Sequence, residues 1–475
     1  MNIDERKAER NHSPGRLRDG QFQSHGRAGL GTRGIGSIVT SRRLRVTVAP
    51  PSRIGYGVNL VNRINLVARR IPLGGGIPID GWSDSMAIPG IGELVASDEG
   101  FNHQVVDTFA TVADSDRSWT EKVWATVVSR DGSVQVEFGL GFYHNRGVMD
   151  AFGGASRGRE QWTVRSSRPT SGDPETTIGP LKYQVIDPLR SIRCLLNDNE
   201  SCDIAYDLTF TGILPPFFEE RNSYRDPCGR INANLVRYHQ AGTAEGWVRL
   251  GSQRLVVDPQ DWFAFRDHSW GVRGEGAVGA PPADIAPNPY LVLSADSDMP
   301  AYMHWTPWFL RQPDGSLYGV QFLVMDVGGF RAIESAYVNH PDGRQERIRR
   351  VTSDLNYDKR TRFLQGGQVR LELESGPVHK VEVTALDETG FFLRPGGYGE
   401  WKGHRHGVWP GDLLVDGEYI ADCHSPSVLP TLGQYRNKPV RVRQGDAEGF
   451  GIFETIITGV WPDLGLGPES NYGGY

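Results

Sequence analysis

The sequence predicts an all-β protein. Its 475 residues include 59 glycines and 30 prolines, a composition that favours many strands joined by tight turns over long helices. Several segments alternate apolar and polar residues, which is the pattern of a strand with one face in a core. Glycine or proline interrupts most candidate helical stripes, and no such stripe extends beyond about three turns.

The first 45 residues are predicted to form a disordered basic arm. They are rich in Arg, Gly and Ser and lack the apolar core of a secretion signal. Two alternatives stay open: the arm binds an acidic surface, or the gene start has been placed too far upstream.

The clearest strand runs from Val134 to Phe142. Its odd-numbered positions Gln135, Glu137, Gly139 and Gly141 alternate with apolar residues, so we expect a half-buried strand. The Asp131-Gly132 dipeptide just before it is a hairpin signal, and residues 122–129 are therefore the expected antiparallel partner.

A short internal repeat indicates two related domains. Trp119-Thr120, Trp124 and Asp131-Gly132-Ser133 recur as Trp305-Thr306, Trp308 and Asp314-Gly315-Ser316, although chance recurrence of turn residues stays open. The chain length also favours two large domains. We expect the arm at 1–45, a first antiparallel barrel-like domain at 46–260 and a second at 261–475.

Composition limits the classes of partner and compartment. The formal net charge of −6 argues against a general nucleic-acid binder, and no apolar stretch is long enough to span a membrane. The four cysteines (Cys194, Cys202, Cys228 and Cys423) have no metal-ribbon or redox-pair spacing. They fit a reduced, cytoplasmic compartment, with one disulfide left open.

The most informative run extends from Trp262 to Arg273. On a strand, Phe265, Asp267, Ser269 and Gly271 share one face, while Arg266, His268 and Trp270 share the other. A carboxyl near aromatic rings has its charged form disfavoured, which suits a proton donor. Alternatively, Asp267 and Arg266 or Arg273 simply close hydrogen bonds at a sheet edge.

Two further groups are candidate sites. Glu121, followed by Tyr143, Asn145 and their neighbours His144 and Arg146, forms either a solvated barrel rim or a ligand-orienting patch. His404 and His406 should share a strand face, but no carboxylate follows closely, since Trp409-Pro410-Gly411 stands there. The sequence therefore predicts no metal. Neither a P-loop nor a nucleophile elbow occurs, and no cofactor is predicted.

Three segments together resemble a known family. They are Asp267-His-Ser-Trp-Gly271, Thr209-Phe-Thr-Gly-Ile-Leu-Pro-Pro216 and Gly399-Glu-Trp-Lys-Gly-His-Arg-His-Gly407. This combination resembles the AttH-like, double lipocalin-like superfamily, which includes carotenoid hydratase (hydroxyneurosporene synthase), and the resemblance extends from about Ser83 to Leu466. It implies two consecutive lipocalin-like β-barrels and a cavity for a small hydrophobic ligand.

The resemblance also implies a chemistry. An isoprenoid, polyketide or aromatic ligand would undergo hydration, isomerisation, cyclisation or elimination without a cofactor. Asp267 would donate the proton, and His268 would orient the Asp267 carboxyl or collect a proton afterwards. The ligand would contact residues from both domains: Trp270, Arg273, Trp305, Trp308, Glu121, Tyr143 and Asn145. Open alternatives are a non-catalytic carrier or sensor, a scaffold, and an Asp267 that clamps the two domains through Arg273. Oligomeric state is not predicted.

Overall fold

The structure is a computed structural model that describes residues 87–88, 92–94, 96–101, 103, 115–170, 175–225, 229, 231–273, 299–409 and 411–471. The predicted arm, residues 1–45, lies outside the described residues. Within them the regular secondary structure is almost entirely strands, as predicted, with one short α-helix, α1 (Leu429–Leu432), and five single helical turns.

The strands up to Val272 are β1 (Ala87–Ile88), β2 (Gly92–Glu93), β3 (Trp119–Ser129), β4 (Val134–Tyr143), β5 (Val148–Arg157), β6 (Glu160–Pro169), β7 (Thr177–Ile178), β8 (Leu181–Asp187), β9 (Ser191–Leu196), β10 (Ile204–Gly212), β11 (Phe217–Phe218), β12 (Asn222–Arg225), β13 (Ile231–Leu250), β14 (Gln253–Val257) and β15 (Trp262–Val272). The later strands are β16 (Ala301–Arg311), β17 (Leu317–Val327), β18 (Phe330–Asn339), β19 (Gln345–Tyr357), β20 (Leu364–Leu373), β21 (Val378–Ala385), β22 (Phe391–Phe392), β23 (Leu414–Ile420), β24 (Arg436–Gln444) and β25 (Ala447–Thr458). The helical turns are Ala96–Glu99, His144–Arg146, Arg394–Gly396, Pro462–Leu464 and Pro468–Ser470.

The first large sheet curls around its own core. Its strand order is β23-β6-β5-β4-β3-β15-β13-β10-β9-β8-β7, with β11, β12 and β14 also paired to β13. The predicted pairing of β3 with β4 is confirmed. One apolar cluster takes side chains from strands near both ends of this order, including Trp162 and Val164 of β6 and Ile178 of β7. Burial of this face gives the sheet its barrel-like curvature.

The second sheet closes into a ring. Its order is β21-β20-β19-β18-β17-β16-β25-β24-β22, and an additional antiparallel pairing of β21 with β24, the last long strand of this order, closes the ring. The interior is filled by an apolar cluster that includes Trp308, Phe322, Val381 and Phe453. The weakest join of the ring is between β18 and β19, where the matched pairs extend only from Tyr337–Arg347 to Asn339–Gln345.

The strand β4 is buried on both faces, whereas the alternation predicted a half-buried strand. Its polar side chains face the second half of the chain instead of water. Gln135 Oε1 accepts a hydrogen bond from the backbone N–H of Phe391 (3.2 Å), and Glu137 Oε1 accepts one from Asn437 Nδ2 (3.1 Å). Alternation shows only that two faces differ in polarity, and here both are covered.

The boundary between the two large sheets differs from the predicted domain boundary, which lies between residues 260 and 261. The strand β15, which follows that point, lies between β3 and β13 and pairs with β3 along its whole length. The second sheet begins with β16 at Ala301. One late strand, β23, also joins the first sheet, at its edge beside β6.

The repeated turn motif has the same geometry in both places. Asp131 Oδ1 accepts hydrogen bonds from the N–H (2.9 Å) and hydroxyl (2.8 Å) of Ser133, and Asp314 Oδ1 does the same for Ser316 (2.9 and 2.7 Å). The intervening glycine has φ of 79° in one turn and 87° in the other, a region that favours glycine. Duplication of the whole domain stays a prediction.

Two predictions concern a membrane-spanning segment and the cysteines. No helix in the described part is long and apolar enough to cross a membrane. Cys194, Cys202 and Cys423 are buried free thiols, while Cys228 lies outside the described residues.

Candidate active site between the two sheets

The strand β15 directs its side chains to two different environments, as the sequence predicted. Phe263 and Phe265 pack with Trp305 and Phe309 of the second sheet, in an apolar layer that also includes Trp124, Phe152 and Ile452. We call this layer the seam. Arg266 and His268 point the other way, into the interior of the first sheet.

Asp267 lies in the seam, in a row of three side chains. Its backbone neighbours are Trp124 on β3 and His239 on β13, and directly paired residues project from the same face of a sheet. Trp305 of β16 contacts both flanking rings, with centroids 5.6 Å from Trp124 and 5.5 Å from His239. Trp305 therefore faces Asp267 across the seam. About one-eighth of the Asp267 side chain, 12%, is exposed.

The charge of Asp267 is disfavoured by its surroundings. Burial raises the pKa of Asp267 above its usual value, although the charge of Arg237 opposes the shift. Arg237 Nε lies 3.6 Å from Asp267 Oδ2, and the other end of the guanidinium lies 3.3 Å from Glu219 Oε1. Because Arg237 is shared between two carboxylates, it neutralises neither completely. A carboxyl of this kind can donate a proton nearer to neutral pH than an exposed aspartate.

A second polar group lies beside Asp267 in the seam. The Tyr143 hydroxyl donates to Asp150 Oδ1 (3.1 Å), and the N–H of Gly407 donates to Asp150 Oδ2 (2.7 Å). Lys122 Nζ is 2.7 Å from Nδ1 of His406. Burial raises the pKa of Asp150 to about 6 against the effect of Lys122, and burial lowers the pKa of Lys122 well below its usual value.

Two further buried carboxyls complete the polar part of the seam. Burial raises the pKa of Glu137 to about 8, although Trp124 Nε1 (2.5 Å), Gln135 Nε2 (2.6 Å) and Asn437 all donate hydrogen bonds to it. Burial also raises the pKa of Glu454 well above its usual value. Such a concentration of perturbed acids in one place is typical of functional sites, and structural ion-pair networks also produce it.

Several polar atoms of the seam lack hydrogen-bond partners in the part of the chain that the structure describes. They are Trp305 Nε1, His239 Nδ1, Arg237 Nε and Gln321 Oε1, all of them buried. Buried polar atoms in proteins are normally satisfied, because an unsatisfied one costs about 1–3 kcal/mol. These donors and acceptors are therefore suited to a polar group of a bound molecule or to water.

The structure divides the predicted site residues into groups. Asp267, Tyr143, Arg273 and Trp305 belong to the seam, where Arg273 Nη2 donates to Ser269 Oγ (3.0 Å). The interior of the first sheet holds Glu121, His268 and Trp270.

Two predicted residues belong to neither group. Trp308 is in the second core, against Phe322 and Phe453, because residues three apart on a strand point to opposite faces. Asn145 Nδ2 donates to the carbonyl of Asp116 (2.6 Å) near the end of β3.

Two predictions about histidines are wrong. His268 cannot orient the Asp267 carboxyl, because it projects from the other face of β15. His404 and His406 do not share a strand face, since Gly403 and Gly407 (φ 84° and 68°) bend the chain there. His404 Nε2 lies 2.8 Å from Asp416 Oδ2, whereas His406 Nε2 lies 3.0 Å from the carbonyl of Gly396.

Several residues of the seam were missed from the sequence. Arg237, Lys122 and Asp150 are charged residues within strands whose neighbouring residues are mostly apolar and buried. A charge inside such a strand is the signal that could have found them, because a buried charge needs a partner. Glu454 carries the same signal within the apolar end of β25.

Residues 94–467 match the family described as "Family of unknown function (DUF8625)". The chain belongs to this family. The matched range contains every seam residue named above and all strands from β3 to β25. A comparison with curated proteins finds no match.

Solved structures to which the chain is similar include three with low sequence identity. One is a provisionally named AttH protein from Nitrosomonas europaea, with 12% identity, a TM-score of 0.41 and coverage of 71% of this chain and 92% of that chain. Another is kievitone hydratase from Nectria haematococca, with 9% identity, a TM-score of 0.34 and coverage of 76% and 95%. A third is CghA with Sch210972, with 12% identity, a TM-score of 0.34 and coverage of 71% and 88%. The first of these structures carries the name of the family that the sequence motifs resemble.

Proposed function

We propose that the protein binds a small hydrophobic molecule in the seam and acts on it by acid/base chemistry without a cofactor. The observation that carries this proposal is the position of Asp267, a partly exposed carboxyl between Trp124, His239 and Trp305. Aromatic and aliphatic walls favour an apolar ligand, and the few polar groups among them would fix its orientation.

Asp267 is the proton donor of the proposed reaction. Transfer of its proton to a carbon of an alkene, or to a leaving oxygen, creates a carboxylate 3.6 Å from the guanidinium of Arg237, which stabilises the new charge. The proton is recovered from added water in a hydration, or from a neighbouring carbon in an isomerisation, a cyclisation, or an elimination in which the protonated oxygen leaves as water or an alcohol. Protons balance over the cycle, so no cofactor is consumed.

The aromatic rings of the seam have a second role in this proposal. Protonation of an unactivated alkene gives the ligand cationic character, and the faces of Trp124 and Trp305 stabilise a cation by about 0.5–2 kcal/mol each. The same rings exclude stray water, which would otherwise capture the cation.

The first experiment identifies the ligand and tests turnover. Purified full-length protein is extracted with organic solvent, and the extract is analysed by mass spectrometry, where we expect a small apolar guest. The guest is then incubated with wild-type protein, with Asp267→Asn and with Asp446→Asn, an exposed control. We expect Asp267→Asn to bind the guest but to lose turnover by at least about 100-fold.

The outcomes separate the two proposed properties. Equal turnover by Asp267→Asn and wild-type protein would contradict the proton-donor role. A guest that wild-type protein binds but leaves unchanged would indicate a carrier. Absence of a guest, together with no binding of the apolar probe 1-anilinonaphthalene-8-sulfonate, would contradict ligand binding in the seam.

A further inference from the structure

Three potential metal ligands meet in the interior of the first sheet, on the opposite side of β15 from the seam. His103 Nδ1 lies 2.6 Å from Glu121 Oε1, and His268 Nε2 lies 3.1 Å from the same oxygen. One ligand atom from each residue lies within 4.8 Å of the others. Glu121 comes from β3 and His268 from β15, so two neighbouring strands fix two of the three positions.

We propose that His103, Glu121 and His268 form a binding site for a divalent transition-metal ion. Two imidazole nitrogens and one carboxylate oxygen are a donor set used by Zn²⁺ and by other first-row divalent ions, with further positions left for water. This site is separate from the proposed reaction in the seam, because its side chains project into the interior of the first sheet.

Glu121 provides an independent reason to expect a ligand. Its side chain is 0% exposed, and Oε2 has no hydrogen-bond partner among the residues that the structure describes. A buried carboxylate oxygen without a partner is costly, since it has lost the hydration that it has in the unfolded chain. A metal ion bound to Glu121 would either coordinate this oxygen or share the negative charge of both carboxylate oxygens.

The far nitrogens of both histidines have contacts that suit metal ligands. His103 Nε2 lies 3.3 Å from Asp98 Oδ1, and His268 Nδ1 lies 3.5 Å from the hydroxyl of Tyr238. Metal-binding histidines are commonly held in this way by a carboxylate or another polar group, which fixes the ring orientation. The Trp270 ring stacks on His103, with centroids 3.6 Å apart and planes 14° from parallel.

Metal binding requires a small movement of one ligand. Tetrahedral Zn²⁺ with bonds of about 2.0–2.1 Å separates its donor atoms by roughly 3.3 Å. The distance from His268 to Glu121 already approaches this value, whereas the 2.6 Å contact of His103 must open by about 0.7 Å. His103 is the most exposed of the three, with 9% of its side chain accessible, so its ring can adjust with the least change to the core.

The test uses the full-length protein after treatment with a chelator. Zn²⁺ is titrated by calorimetry into wild-type protein, His103→Gln, Asp98→Asn and the control His404→Gln, which removes an imidazole outside the site. We expect one Zn²⁺ per wild-type chain, unchanged binding by His404→Gln and no saturable binding by His103→Gln. The Asp98→Asn variant should bind Zn²⁺ about 10–100-fold more weakly, since Asp98 only positions the ligand His103 and does not itself bind the metal.

Two measurements keep the test decisive. Circular dichroism must show that His103→Gln has the wild-type fold, and the melting temperature should rise with Zn²⁺ for wild-type protein but not for that variant. Failure of wild-type protein to bind Zn²⁺, Co²⁺ or Mn²⁺ would overturn the proposal. Equal binding by wild-type protein and His103→Gln, with correct folding, would overturn it as well.

Discussion

Glu99 shows how a single buried residue connects a short segment to the first sheet. Its carboxylate accepts hydrogen bonds from Arg266 Nη1 (2.6 Å), the N–H of Leu189 (2.6 Å), and the hydroxyls of Tyr238 (2.9 Å) and Tyr183 (3.1 Å). Burial alone would raise the pKa of Glu99, but the charge of Arg266 and these hydrogen bonds outweigh it and lower the pKa to about 2.

This pKa predicts a specific loss of stability in acid. Ionised Glu99 stabilises the folded state fully above pH 4.5, and this contribution is lost as the pH falls towards about 2. Glu99→Gln should reduce the free energy of unfolding by about 3–5 kcal/mol at pH 7, because Arg266 is left buried without its anion. The difference in the free energy of unfolding between Glu99→Gln and wild-type protein should be smaller at pH 3. Urea unfolding at both pH values measures it, with the exposed Glu448→Gln as control, and equal stability of Glu99→Gln and wild-type protein at pH 7 would contradict it.

The sequence predicted the directions of side chains at the site but not their partners. Alternation along β15 correctly separated Asp267 from His268, since that property depends only on local geometry. The contact of Asp267 with Arg237 depends on pairing between β15 and β13, and the meeting of His268 with Glu121 depends on β3. Such pairing involves residues far apart in sequence, whose register one sequence does not determine.

The strand β4 shows why the sequence can identify a strand but not the residues that pack against it. Its alternation and its hairpin with β3 were predicted, but its second face is packed tightly instead of solvated. A Cβ atom on Gly139 would lie 2.1 Å from the Phe152 ring, and one on Gly141 would lie 2.3 Å from the Tyr143 hydroxyl. These glycines therefore allow large side chains to fold over the strand into the seam.

The tight packing of β4 predicts a cost for added volume. Gly139→Ala should destabilise the protein by about 1–3 kcal/mol, because the rigid Phe152 ring cannot move without displacing its neighbours. Gly319→Ala on β17 is the matched control, since the nearest atom to its Cβ would be the tip of the Leu214 side chain, at 3.2 Å, and the next would lie at 3.5 Å. Chemical denaturation of both variants measures the difference. A Gly139→Ala variant as stable as Gly319→Ala would show that the seam is packed more loosely.

The two sheets of the protein depend on each other. The late strand β23 pairs with β6 at the edge of the first sheet, where Arg165 Nη1 donates to Glu418 Oε1 (2.8 Å). Across the seam, Gln321 Nε2 of the second sheet donates to Glu219 Oε2 (3.0 Å). The internal repeat predicted two units. It did not predict that the late strand β23 joins the first sheet, because β23 lies outside the repeated motif.

This mutual dependence predicts that neither half folds alone. Residues 76–298 lack β23 and expose the apolar wall of the seam, including Phe263 and Phe265, while residues 299–475 lose the surface that covers Trp305. An exposed apolar surface of this kind favours aggregation over independent folding. Each fragment, expressed separately, should show no cooperative thermal transition, whereas coexpressed fragments should assemble and the full chain should unfold in a single transition. Circular dichroism and calorimetry measure these properties, and a separate fragment with a sharp transition of its own would show that its sheet is an autonomous domain.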